Sequence, residues 1–243
     1  MKTVAIIQAR MGSTRLSGKV LMEISGQSML AWVVNRTRRA RKIDEVVVAT
    51  SLSPRDDVIA AECNTFGVSI FRGSENDVLD RYYRAADEFQ ADIVVRITSD
   101  CPLIDPVVID GVVGEFNSTV VDYASNTLER GYPRGLDVEV FSQVALEEAW
   151  RRADRPHERV HVTPYIHGNP DQFRLHSVLC EDDHSDLRWT VDTTADLQVV
   201  RGITEALGGR DDFGWQDALE IVQRNPHLAD INRLVRQKAL EEV

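Results

Sequence analysis

Within the first hundred residues, short apolar runs recur at Val4-Ala5-Ile6-Ile7, Val46-Val47-Val48-Ala49, Val68-Ser69-Ile70-Phe71 and Asp92-Ile93-Val94-Val95-Arg96-Ile97. Between them lie longer stretches of helical character. From Met29 to Arg41, Leu30, Val33, Val34 and Thr37 share one stripe, while Arg36, Arg38, Arg39 and Arg41 fall mostly off it. Pro54 to Phe66 and Asp77 to Phe89 read as further helices. Strands that are apolar on both faces must be covered on both, and helical crossovers between parallel strands do this. The expected class is α/β, a Rossmann-like, mainly parallel sheet with helices on both faces and ligands at the carboxyl ends of its strands.

After residue 120 the pattern is less regular. Leu136 to Phe141 alternates apolar and acidic residues, which predicts a strand with Asp137 and Glu139 on one face. Val144 to Arg152 and His157 to Ile166 read as helices, with Pro164 set against the end of the second. Thr193 or Thr194 can cap a helix that runs to Leu207 and stops at Gly208-Gly209. Two more helices follow from Trp215, broken at Asn225-Pro226. They carry Ile221, Val222, Leu228, Ile231, Leu234, Val235 and Leu240, enough for packing on the domain or for a dimer contact.

The chain has 243 residues, 43% of them hydrophobic, so it can bury a full core as one domain. A net charge of -11 argues against nucleic-acid binding, which needs a surplus of Lys and Arg along a face. Any anion must be met by a local basic cluster. Three cysteines, Cys63, Cys101 and Cys180, show no metal-like spacing and suit a reducing compartment. No apolar run approaches the ~20 residues of a membrane span, and Val4 to Ile7 is too short for a signal sequence. A cytoplasmic protein with no membrane partner is expected.

Three stretches can carry chemistry. Residues 8 to 21, QARMGSTRLSGKVL, follow the first strand with Arg10, Arg15 and Lys19. They fit neither a Walker loop, since five residues separate Gly12 from Gly18 and Val20 follows Lys19, nor the dinucleotide fingerprint. Backbone donors around Gly12, Ser13 and Thr14 and the three cations can surround a polyphosphate. The competing reading is a solvated basic turn. Thr98-Ser99-Asp100-Cys101-Pro102-Leu103 places Asp100 at the same sheet edge, either as a Mg²⁺ carboxylate or as a turn residue. Asp192 precedes a capped helix and is either a metal ligand or a first-turn acid. Asp196 pairs with Thr193 as a capping box. Spacing alone does not bring Asp192 to Asp100.

Taken together, these stretches resemble the cytidylyltransferases that activate acidic sugars, the family of CMP-KDO synthetase and acylneuraminate cytidylyltransferase. Within it the chain is most similar to the subgroup named after a spore-coat polysaccharide biosynthesis protein. The family's opening pattern matches at Ala9, Arg10, Ser13, Arg15, Leu16, Gly18 and Lys19. An Asp-x-Pro-Leu segment matches at Asp100, Pro102 and Leu103, and a Val-Asp-Thr-x-x-Asp-Leu segment at Val191, Asp192, Thr193, Asp196 and Leu197. The chain departs from the KDO enzymes at Thr98-Ser99-Asp100-Cys101. Residues 133–141 and 158–165 look like the spore-coat subgroup instead.

The resemblance covers about residues 3–207. It implies a nucleotide-diphospho-sugar transferase fold with a nucleotide-binding half at 1–120, an acceptor half at 121–207 and C-terminal helices at 208–243, in a homodimer. It further implies Mg²⁺-dependent transfer of CMP from CTP to a small acidic or phosphorylated acceptor, with release of pyrophosphate, in surface polysaccharide or glycoconjugate biosynthesis. Ala9, Gly12, Ser13 and Thr98 would contact nucleotide, and Arg72, Gly73 and Ser74 would stand where cytosine is read. Arg15 and Lys19 would meet the leaving pyrophosphate and Arg10 the triphosphate nearer the reacting phosphorus, with Asp100 and Asp192 on Mg²⁺. Asp137, Glu139 and His161, with His157 beside them, are acceptor-side candidates. The alternatives are a solvated acidic strand and a surface helix. Rival functions are a glycosyltransferase of related fold, a guanylyltransferase acting on a sugar phosphate, and a noncatalytic binding subunit.

Overall fold

The run Val4 to Ile7 is wholly buried, Ala5 and Ile7 on one face of a sheet and Val4 and Ile6 on the other, and forms strand β1 (Thr3–Gln8). A computed structural model describes residues 1–239. After β1 come a 3-10 turn at Lys19–Leu21, a hairpin of β2 (Glu23–Ile24) and β3 (Gln27–Ser28), α1 (Met29–Thr37) and β4 (Glu45–Ser51). Then follow α2 (Asp57–Thr65), β5 (Ser69–Gly73), α3 (Val78–Glu88), β6 (Ile93–Thr98), α4 (Pro106–Ser118), β7 (Tyr123–Ser125) and β8 (Glu139–Ser142). The chain continues through α5 (Gln143–Arg152), α6 (Pro156–His161), α7 (Pro164–His167), β9 (Leu175–Ser177), α8 (Thr194–Ala206), α9 (Trp215–Arg224) and α10 (His227–Asn232).

The main sheet has the order β5-β4-β1-β6-β8-β7-β9. Its first four strands are parallel, β8 runs antiparallel to β6 and β7, and β9 is parallel to β7. One face packs on α1, α4 and α8 through Leu30, Val33, Ile109, Val113, Val200 and Ile203. The opposite face packs on α3 and α5 through Leu79, Tyr82, Ala85 and Leu146. From β1 the chain winds outward to β4 and β5, then crosses back to β6 on the other side of β1. That reversal opens a crevice at the carboxyl ends of β1 and β6. Gln8 and Thr98 are register partners there, so the two candidate loops leave the sheet side by side.

Several expectations are corrected. α1 ends at Thr37 instead of Arg41, because the chain tightens into turns and the Asp110 carboxylate accepts from the Arg41 and Lys42 amides at 3.0 and 2.8 Å. Arg36 is fully buried, donating to the carbonyls of Ile104 and Asp211 at 2.6 and 2.7 Å with its guanidinium carbon 4.1 Å from the Phe213 ring centroid. The expected helix over 157–166 is split into α6 and α7, since Val162 takes a φ of 76°. The strand expected from Leu136 starts only at Glu139, so Asp137 lies in the approach to β8. α4, β7, β9 and the β2–β3 hairpin add elements that periodicity does not reveal. α9 and α10 direct Val222 and Leu228 into the core and leave Ile231 and Leu234 exposed; Leu240 lies outside the described residues. Among the described residues no helix is long and apolar enough to cross a membrane.

Candidate active site

The loop after β1 is folded on its own backbone. The Ala9 amide donates to Ala49 O, the Met11 amide to Asp56 Oδ1, and the Ser13 and Gly18 amides both to Met11 O. Gly18 takes a left-handed φ of 67° that turns the chain into the Lys19–Leu21 helix. Lys19 is thereby aimed inward. Its Nζ donates to Asp100 Oδ2 at 2.8 Å, to Asp192 Oδ1 at 2.9 Å and to Val191 O at 2.8 Å. The convergence that spacing could not establish is therefore present: Asp100 and Asp192 share one ammonium.

The segment before α8 is stitched to the one after β6. The Val191 amide donates to Asp100 O at 2.8 Å and Thr190 Oγ1 to the same oxygen at 3.2 Å. Asp192 Oδ2 receives Arg15 at 2.9 Å and Arg188 at 2.7 Å, and Arg188 also holds Asp196 Oδ1 at 2.9 Å. Asp196 closes the expected capping box with Thr193. Three cations thus face three carboxylates. Burial opposes ionisation of Asp100, but the charge and hydrogen bond of Lys19 outweigh it and hold the carboxyl at about 2. Burial likewise works against the Lys19 ammonium, and Asp100 with Asp192 raises its pKa above the usual value. Two hard carboxylates on one centre match what Mg²⁺ takes from a protein when water and phosphate oxygens complete its shell. Among the described residues no cluster of three or more His, Cys, Asp or Glu offers an all-protein cage.

Arg15, Lys19, Asp100 and Asp192 line a cavity of about 610 Å³, within the range of small-molecule sites. Ala9, Arg10, Gly12, Ser13 and Thr98 line it from the ends of β1 and β6, and Asp137, Glu139 and His161 from the later part of the chain. Glu139 is 7% exposed and accepts from Arg96, from Tyr123 OH at 2.7 Å and from Thr163 Oγ1 at 2.6 Å. Burial raises its pKa, but Arg96, Thr163 and Tyr123 lower it more. It is a buried floor carboxylate, not part of a solvated strand face. Asp137 forms a two-pronged pair with Arg130 at 3.0 Å for each contact. His157 lies in a separate cavity of about 280 Å³ beside α6 and α7.

Arg72, Gly73 and Ser74 stand outside the lining of the main cavity. Arg72 is spent on the carbonyls of Ser51 and Ser53 and on Asp57. The cavity instead receives Arg81, 1% exposed, whose Nη1 donates to Ser74 O at 2.6 Å. A side chain at Gly73 would sit 3.1 Å from Arg81 Cγ, so the glycine makes room for it. Sequence reasoning also missed Arg134 and Arg188. Arg134 lines the cavity with no carboxylate at ion-pair distance among the described residues, and burial, with Arg130 and Arg188 nearby, lowers its pKa. A readable signal existed for Arg81, an arginine on the apolar stripe of Val78, Tyr82 and Ala85. For Arg134 and Arg188 there was none.

Comparison with known proteins gives the family. A relative, the spore coat polysaccharide biosynthesis protein SpsF of Bacillus subtilis, is 32% identical over 231 residues, 92% of this chain and 95% of its own. A cytidylyltransferase from Leptospira borgpetersenii superposes with a TM-score of 0.91 at 33% identity, covering 98% of this chain and all of that one. A CMP:2-keto-3-deoxy-manno-octonic acid synthetase complexed with CTP shares the fold, with a TM-score of 0.68 at 21% identity over 85% of this chain. The sequence model of the family described as cytidylyltransferase matches residues 4–201, which takes in the Lys19, Asp100 and Asp192 centre, and the chain belongs to that family.

Proposed function

We propose that the protein transfers CMP from CTP to a sugar acid or related anionic acceptor, with Mg²⁺ and release of pyrophosphate, in the cytoplasm. The observation that carries this reading is the meeting of the phosphate-loop cations Lys19 and Arg15 with Asp100 and Asp192 at the crevice between β1 and β6. An acceptor oxygen forms a bond to the α-phosphorus, the bond to the β-phosphate bridging oxygen breaks, and pyrophosphate departs with its electron pair. Such transfer asks the protein mainly for positioning and charge neutralisation. Asp100 and Asp192 would hold Mg²⁺, which would supply further charge neutralisation at the phosphates.

Lys19 and Arg15 pair with the carboxylates that would hold that ion. With triphosphate bound, both cations would turn to phosphate oxygens and leave Asp100 and Asp192 as the residues that would hold Mg²⁺. Arg10, exposed on the same loop, would meet the triphosphate nearer the reacting phosphorus. Arg130 and Arg134 give the acceptor half an anion-binding character, which supports an acidic acceptor. The CTP complex of the structural neighbour supports cytidine as the base.

Pyrophosphate release tests the reading. With CTP, Mg²⁺ and a pool of sugar acids and sugar phosphates, the wild-type protein should release pyrophosphate. Lys19→Ala should slow release about a hundredfold, a loss of roughly 3 kcal/mol of transition-state stabilisation, and Asp100→Ala should abolish it. Faster release or a larger thermal shift with GTP, UTP or ATP would overturn the choice of base.

A further inference from the structure

The family match ends at residue 201, yet the cavity is also lined by Gln237, Lys238 and Ala239, from the segment after α10. The end of α10 and the segment after it are fastened, at Asn232 and Gln237, to residues 188–196 around Asp192. Asn232 is 3% exposed, and its Nδ2 donates to Arg188 O and to Asp196 Oδ1, each at 2.9 Å. Five residues further on, Arg188 Nη1 donates to Gln237 Oε1 at 2.7 Å. The Val235 amide donates to Asn232 O at 2.9 Å, which makes a turn between the two anchors.

Arg188 is the hinge pin of this arrangement. One nitrogen holds Gln237, another holds Asp192 Oδ2, and that same oxygen receives Arg15 from the phosphate loop. The segment therefore arrives at the phosphate end of the cavity. Of the three cations in residues 233–238, Arg-Leu-Val-Arg-Gln-Lys, Lys238 lines the cavity, while Arg233 lies 3.7 Å from Asp230. Asp100 and Asp192 already have their cations, so a further ammonium at this end is matched by an incoming polyphosphate and not by the protein's own carboxylates.

We propose that Lys238 is an anion-binding residue for the phosphates of the nucleotide, and that Gln237 positions it by latching the segment to Arg188. The inference rests on the nucleotide reading above and adds to it a ligand contact from outside the matched region. Calorimetric titration of CTP and of inorganic pyrophosphate, each with Mg²⁺, tests it in the full-length protein. Lys238→Ala should weaken both ligands about tenfold, as expected for one charge-assisted hydrogen bond. The melting temperature of the free protein should be unchanged, because Lys238 is exposed. Lys238→Arg should keep most of the affinity. Gln237→Ala should lose less than Lys238→Ala and add nothing when combined with it, since it acts only through that lysine.

Wild-type affinity for both ligands in Lys238→Ala would overturn the inference while leaving the nucleotide reading intact. If the wild-type protein itself bound neither ligand, the nucleotide reading would fall and the inference with it. A loss in Gln237→Ala that adds fully to that of Lys238→Ala would overturn the positioning role.

Discussion

Lys19 places one ammonium among three oxygens, and its consequences can be followed atom by atom. The folded pKa of Asp100, about 2, lies below its ordinary value of 3.8. The stabilisation is therefore present above pH 3.8 and is lost as the pH falls through about 2. The shift corresponds to roughly 2 kcal/mol. Urea unfolding of the wild type between pH 5 and 2 should accordingly show a steeper loss of stability than Asp100→Asn, which has no proton to take up. Equal slopes would contradict the account. At this scale Arg15, Lys19, Asp100 and Asp192 were legible, because their segments carry recognisable motifs. Their pairing was not, since it depends on strand order. The sequence reading sent Lys19 to phosphate and Asp192 to metal, whereas the structure joins them to each other.

Among the elements, the register between residues 134–136 and 187–190 decides where the approach to β8 meets the segment that carries Asp192. Trp189 and Thr190 amides donate to Arg134 O at 2.7 and 3.0 Å, and Gly135 packs so closely that a Cβ would lie 2.6 Å from Thr190 N. Its φ of 115° also excludes ordinary side chains. Gly135→Ala should destabilise the fold by about 2–4 kcal/mol and lower activity beyond what stability explains, because Arg134 and Asp192 flank the strained contact. Gly111, in α4 with open space where a Cβ would go, is the matched control. Gly111→Ala should stabilise by roughly 0.5–1 kcal/mol, and thermal melts of the two variants check both signs.

The elements divide by legibility for a physical reason. β1, β4 and β6 are buried on both faces and read as apolar runs, and α8 announces itself by Thr193, Asp196 and the glycines at 208 and 209. β7 and β9 have three residues each and exist because neighbouring strands supply their hydrogen bonds, so nothing local marks them. α4 was hidden by a run, Pro106-Val107-Val108-Ile109-Asp110-Gly111-Val112-Val113, whose helical stripe is blurred by apolar residues and a glycine.

Across the whole molecule, an acidic chain gathers its cations where the sheet reverses direction. Arg10, Arg15, Lys19, Arg81, Arg130 and Arg134 line one cavity, although acidic residues outnumber basic ones by 39 to 28. Gathering like charges in one place is costly unless anions face them. The protein supplies carboxylates for Arg15, Lys19 and Arg130, and the proposed polyphosphate and anionic acceptor would face the others. Family membership fixes the general chemistry, and in the proposed reaction the α-phosphate of CTP is passed on while the outer two leave together. CTP labelled at the α-phosphorus, incubated with Mg²⁺ and the acceptor pool and resolved by chromatography, follows both products. Label should appear in a new CMP-linked product with equimolar unlabelled pyrophosphate, and both should be lost in Asp100→Ala. Label recovered in CDP with release of orthophosphate, or no label transfer under conditions where CTP is bound, would contradict that reaction.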